Sequence, residues 1–84
     1  MYQTVESDGY LFIFKMDAVD PQILHIWARH LKTPEDAIRI FMHGVDVWNA
    51  QHRRFETSLD NELLYWGWKE EDAVVFVISC MDKE

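Results

Sequence analysis

"FMHGVDVWNAQHRRFETSL", residues 41–59, contains the change of period that decides the fold. Up to Gly44 the apolar residues recur at helical spacing, and beyond it they alternate. Residues 45–59 therefore read as a first strand region. "ELLYWGWK" (62–69) reads as a second and "AVVFVISCM" (73–81) as a third. Leu59-Asp60-Asn61 and Glu70-Glu71-Asp72 supply the turns between them. The third segment is almost wholly apolar, which predicts a central strand.

On the N-terminal side of the switch, two helices are expected. Thr33 caps the nearer one, Pro34 fits its first position, and Glu35 and Asp36 favour the positive end of the helix dipole. Ala37, Ile38, Phe41 and Met42 form its apolar stripe, and Gly44 stops it. The earlier one, "VDPQILHIWARHL" (19–31), has Asp20 as N-cap and Pro21 at the first turn. On a helical wheel Ile23, Leu24, Ile26, Trp27 and Leu31 share an arc that also takes His30, while His25, Arg29 and Lys32 lie opposite. "TVESDGYLFIFK" (4–15) predicts a hairpin turning at Ser7-Asp8-Gly9. The expected fold class is α+β: an N-terminal strand hairpin, then helices over about 21–32 and 34–43 packed on a three-stranded antiparallel meander.

Eighty-four residues make a single domain, 1–84. A chain of this size buries only roughly 60% of its unfolded surface, so its core must be rich. With four Trp, five Phe and three Tyr, it is. Cys80 is the only cysteine, so no internal disulfide forms, and in a strand it reads as a small buried hydrophobe. There is no signal peptide and no apolar run of membrane-spanning length, so a cytoplasmic protein without a membrane is expected.

The net charge of −7 is unevenly spread. Residues 1–24 carry −3, residues 25–54 carry +2 together with all four histidines, and residues 55–84 carry −6. Such a balance disfavours direct nucleic-acid binding, which needs surplus Lys and Arg, and favours a basic protein partner. No cofactor motif is present: the three glycines are dispersed and cradle no phosphate. His25, His30, His43, His52 and Cys80 fit no ligand spacing, so no metal is expected.

"ARHLKTPEDAIRIF" (28–41), "RRFETS" (53–58), "ELLYWGW" (62–68) and "VVFVIS" (74–79) together resemble the BrnT family of toxins, which have the RelE-like ribonuclease fold. The resemblance covers about 50 residues. It implies a RelE/BrnT-like arrangement of the elements, with His30 matching the family's helix histidine and Arg54 its strand arginine. Family members usually carry a basic, Arg-rich tail after the last strand, whereas this chain ends "CMDKE" (80–84). The tail's phosphate affinity and a catalytic cation are then missing.

Two functions follow as expectations. The first is a small acidic, non-catalytic inhibitor, of the phage anti-defence or antitoxin type, that occludes a basic nucleic-acid-binding partner. Its binding surface would combine the acids Glu56, Asp60, Glu62, Glu70, Glu71 and Asp72 with the aromatics Tyr65, Trp66 and Trp68. The second is a ribonuclease toxin of a toxin–antitoxin pair, with His30 as acid/base and Arg29 and Arg54 stabilising phosphate charge. Against the second, His30 also reads as a core-edge residue, and Arg53 and Arg54 as sheet-surface charges paired with Glu56 or Glu62. Oligomeric state is not legible in the sequence.

Overall fold

The computed structural model describes residues 1–84. Chain order is β1 (Tyr2–Ser7), β2 (Tyr10–Lys15), α1 (His25–His30), α2 (Pro34–His43), β3 (Val45–Asn49), β4 (Arg54–Leu59), β5 (Glu62–Lys69) and β6 (Val74–Asp82). All six strands join one sheet in the order β1-β2-β6-β5-β4-β3. Every neighbouring pair is antiparallel except β2 and β6, which run parallel with Phe12 opposite Val75 and Phe14 opposite Val77.

This corrects the expected α+β architecture of two helices on a three-stranded, RelE-like meander: the fold is mostly β, a mixed six-stranded sheet with two short helices. Two features of the chain explain the difference. First, residues 45–59 are not one strand but a hairpin, β3 and β4. Its bend at Ala50–Arg53 contains no glycine and is closed by Arg53 in a left-handed conformation (φ 52°). Second, the parallel pairing of β2 with β6 adds the N-terminal hairpin to the same sheet, and residue periodicity carries no information about pairing across such a distance.

The first helix is also shorter than its wheel suggested. Asp17 Oδ2 accepts hydrogen bonds from the backbone N–H of Val19 and of Asp20, both at 3.1 Å, and Asp20 Oδ1 accepts from Gln22 N–H at 3.2 Å. These carboxylates hold residues 17–23 in turns, so the helix starts only at His25. Leu31 ends it in a left-handed conformation and is 71% exposed, and Trp27 is 46% exposed. Of the expected apolar arc only Ile26 is buried.

The second helix has the predicted N-terminus. Asp36 N–H donates to Thr33 Oγ1 at 3.2 Å and Thr33 N–H donates to Asp36 Oδ2 at 2.9 Å, a reciprocal capping box with Pro34 just inside it. Ala37 and Ile40 are buried, Ile38 and Phe41 pack on the core edge, and Met42 remains exposed.

Both helices cover the same sheet face. Phe12 and Phe14 of β2, Leu64 and Trp66 of β5, and Val75, Val77 and Cys80 of β6 form the core beneath Ile26, Ala37 and Ile40. A bulge between Tyr65 and Trp66 lets Leu64 face Cys80 and Trp66 face Val77, so that all of these side chains point to the helices. The opposite face, with Ile13, Tyr65 and Phe76, carries no helix, and Phe76 is 42% exposed there. Cys80 lies fully in the core, and burial pushes its thiol up to about 12, which makes it inert in the folded protein.

Gly44 ends α2, but not through the left-handed conformation expected of a helix-terminating glycine: its backbone is extended (φ −83°, ψ 179°). Its role is close approach. A Cβ there would stand 2.6 Å from Ile40 O and from Thr57 Cγ2, and 2.7 Å from Ser58 O. Two of these are backbone atoms of α2 and β4. Gly44→Ala is therefore expected to destabilise the fold by about 1–3 kcal/mol through overpacking. A urea midpoint equal to that of the wild type would show that α2 and β4 are not pressed together at this point.

Candidate functional site

The positive segment 25–54 spends most of its charge inside the molecule. Arg29 Nε lies 3.3 Å from Asp17 Oδ1. Lys32 Nζ bonds Asp82 Oδ1 at 2.6 Å and Glu62 Oε1 at 2.9 Å. Arg39 bonds Glu62 and reaches Asp36 at 3.3 Å. Arg54 Nε bonds Glu56 Oε2 at 3.0 Å, and its guanidinium lies 3.8 Å over the Tyr65 ring. The Lys32 and Arg39 pairs tie the helices to the Glu62 end of β5 and the last residues of β6.

The three residues of the ribonuclease reading are not brought together. Arg29 and His30 belong to α1, on the helical face. His30 borders a shallow cavity with Leu63, Met81, Asp82 and Lys83, at the end of the sheet where β5 begins and β6 finishes. Arg54 opens β4 at the other end, and it lies on Tyr65, on the face without helices. Arg29 is engaged by Asp17, which also approaches His25 Nδ1 at 3.5 Å. Burial, then the nearby Lys15, hold the His25 pKa below its ordinary value, so its ring is neutral at pH 7. No group of three or more His, Cys, Asp or Glu side chains is placed to hold a metal ion.

The predicted acidic residues separate into two classes. Glu56 and Glu62 are consumed by ion pairs within the chain. Asp60 is exposed in the β4–β5 turn, at the Glu62 end. Glu70, Glu71 and Asp72 form the β5–β6 turn at the opposite end. The parallel β2–β6 pairing sets the β1–β2 turn beside them, and one cavity is lined by Glu6, Asp8, Tyr10 and Asp72. Glu6, Asp8, Glu70, Glu71 and Asp72 therefore share one end of the molecule. The neighbouring cation is Lys69, 2.8 Å from Asp72. His52 and Arg53 stand in the third turn at this end, nearer the far edge strand β3. The contribution of Glu6 and Asp8 is invisible in the sequence, where they lie more than sixty positions from the other turn.

The aromatic residues of β5 also divide. Tyr65 faces away from the helices beneath Arg54. Trp66 is buried and stacks on Phe55 with ring centroids 4.5 Å apart. Trp68, 38% exposed, sits edge-on to Tyr10 at 5.8 Å. Tyr10, Phe41, Asp46, Phe55, Trp66 and Trp68 line an open cleft on the helical face. Trp66 Nε1 donates to Thr57 Oγ1 at 2.7 Å, and Thr57 Oγ1 donates to Asp46 Oδ1 at 2.6 Å. That chain satisfies the indole N–H inside the core and fixes the carboxylate at the cleft. Asp46, Thr57 and Tyr10 were not singled out from sequence, because their roles depend on cross-strand register.

No family model, characterised protein or solved structure matches this chain.

The paired carboxylates give the fold an acid-labile component. Hydrogen bonds from the Asp20 backbone N–H chiefly, and the Arg29 charge, lower the Asp17 pKa. The Thr33 backbone N–H lowers that of Asp36. Burial pushes the Glu62 carboxyl up, but the bonds from Lys32 and Arg39 outweigh it and the net shift is downward. All three bind protons more weakly folded than unfolded. Their stabilisation is thus present above the ordinary carboxylate values of 3.8 and 4.5 and is lost as pH falls through the depressed ones. The melting temperature is expected to decline gently below about pH 6.5, where the unfolded chain protonates His25 more readily than the folded one, and to fall steeply below about pH 4. Glu62→Gln should lower it at neutral pH and shallow the acid limb. Parallel curves for the two proteins from pH 2.5 to 7 would remove Glu62 from this account.

Proposed function

We propose that this chain is a non-catalytic acidic interaction protein that occupies the cationic surface of a basic, nucleic-acid-binding partner in the cytoplasm. The observation that carries the reading is the meeting of the β1–β2 and β5–β6 turns, with Glu6, Asp8, Glu70, Glu71 and Asp72 at one end, while the acids on the rest of the sheet are largely engaged by Lys32, Arg29, Arg39 and Arg54. Field from the unengaged acids reaches solvent and raises the encounter rate with a positive surface. On contact, carboxylates accept hydrogen bonds from Lys and Arg side chains that would otherwise hold phosphate. Binding and nucleic-acid release are then the same event, and no bond is made or broken. No helix is long and apolar enough to cross a membrane.

The ribonuclease reading has weaker support, since it requires His30 and Arg54 at one phosphate and they sit on different sheet faces.

The expected behaviour is kinetic. A partner isolated from the native host on the immobilised chain should be basic and should release bound oligonucleotide when the chain is added. Its association rate should fall as salt rises, since exposed charges are screened over about 8–10 Å near physiological ionic strength. Glu70→Lys, Glu71→Lys and Asp72→Lys together should slow association more than they speed dissociation. An unchanged on-rate at low salt, or a partner that retains its oligonucleotide, would contradict the proposal.

A further inference from the structure

We infer that the aromatic cleft beside the acidic turns is an anchor site for one arginine side chain of the basic partner. The inference rests on the acidic-docking reading and adds to it the residue type that is held. The cleft encloses about 270 Å³. Small-molecule sites typically span about 300–1,000 Å³, so this one suits a single side chain. Its rings meet at steep angles, 74° between Phe41 and Trp66 and 87° between Trp66 and Trp68, and they bound the space from different sides. Aromatic faces attract cations through their quadrupoles.

Asp46 supplies the complementary charge. It is the only charged residue in the lining and makes no ion pair in the chain. Its Oδ1 is held by Thr57, which is fully buried and is itself held by the Trp66 indole. An unpaired carboxylate beside electron-rich ring faces is an unfavourable neighbour for them, and a cation between the two relieves both. Among biological cations a guanidinium fits best. It is planar, stacks on indole and phenol rings, and offers several N–H donors to one carboxylate, whereas an ammonium is a compact, strongly hydrated point charge. The chain uses the same combination on its other face, where the Arg54 guanidinium lies 3.8 Å over Tyr65 and its Nε bonds Glu56 at 3.0 Å.

Position links the cleft to the acidic end. Tyr10 lines both the cleft and the cavity bordered by Glu6, Asp8 and Asp72. A basic surface drawn to the turns therefore arrives with its side chains next to Trp68.

The test uses the full chain and two synthetic peptides, (Gly-Arg-Gly)3 and (Gly-Lys-Gly)3, in low salt, with the indole N–H resonances of the tryptophans followed by NMR. The arginine peptide is expected to shift the Trp66 and Trp68 resonances and to bind about five- to tenfold more tightly than the lysine peptide. Asp46→Asn keeps an acceptor for Thr57 and removes only the charge, and Trp68→Ala removes an exposed wall. Each should bring the arginine peptide down to the affinity of the lysine peptide, with the remaining indole dispersion verifying the fold. The triple reversal of Glu70, Glu71 and Asp72 to lysine should weaken both peptides alike. Equal affinity of the wild type for the two peptides, or indifference of both cleft variants, would overturn the arginine site. If the triple reversal still weakened both peptides in that case, the acidic-docking reading would stand without it. Failure of the wild type to bind either peptide would overturn the two together.

Discussion

The structure depends first on the parallel pairing of β2 with β6. A parallel pair cannot be closed by a tight turn, so the whole stretch from Met16 to Ala73, both helices and three strands, is its crossover. Its register places Phe12 and Phe14 against Val75 and Val77 at the centre of the core. It also brings two hairpin turns to one edge, and with them Glu6 and Asp8 to the side of Asp72. Tyr10, the first residue of β2, reaches Trp68 of β5 across β6 only because of this alignment. Core, acidic end and aromatic cleft are thus three results of one strand pairing.

Charge is partitioned by the same frame. At the end where β5 starts, Lys32 and Arg39 share Glu62, Lys32 also holds Asp82 and Arg39 also reaches Asp36, so five charged groups lie in one network between α2 and the last strands. Lys32 is drawn out of water to do this, a desolvation cost that only its paired carboxylates offset. The bonds to Asp82 and Glu62 push its pKa up, so it stays charged. Cations committed in this way cannot screen the opposite end. A net charge of −7 on so short a chain would act weakly if it were spread evenly; with Glu6, Asp8, Glu70, Glu71 and Asp72 gathered against Lys69 in two adjoining turns, it gives the molecule a direction.

What sequence disclosed of this arrangement was its local part. The capping box of α2 was legible because Thr33, Pro34 and Asp36 are contiguous and act on each other's backbone. The Glu70–Asp72 turn was legible for the same reason. What was lost lay across the chain. Residues 45–59 alternate well enough to pass for a single strand, and a bend closed by Arg53 rather than glycine left no mark. The helix expected from Pro21 begins only at His25, because Asp17 captures the backbone N–H of Val19 and Asp20, and Asp20 that of Gln22, in turns that residues 17–23 keep. His30 and Arg54 carried their catalytic candidacy from a linear resemblance, and the mixed sheet puts them on different faces. Tyr65 and Trp66 were placed on opposite sides by strand alternation, and they are, but which side is core is set by the β5–β6 bulge.

Trp66 joins the core to the aromatic cleft. Its ring is core, stacked on Phe55 and set against Phe41, while its N–H begins the hydrogen-bond chain that ends at Asp46. A carboxylate on an edge strand such as β3 would ordinarily sample many rotamers and lose entropy on meeting a partner. Asp46 is instead tethered through Thr57 to a buried indole, so its rotamer is fixed within the chain itself. The acids of the turns differ: they are exposed, screened by salt and effective at a distance, and in the proposed docking they govern how often partners meet. In the same proposal the fixed carboxylate among rings governs how long they stay. The two proposed roles, long-range steering and short-range holding, need not coincide in sequence: β3, β4 and β5 carry Asp46, Thr57 and the tryptophans of the cleft, while the acids lie on two hairpin tips.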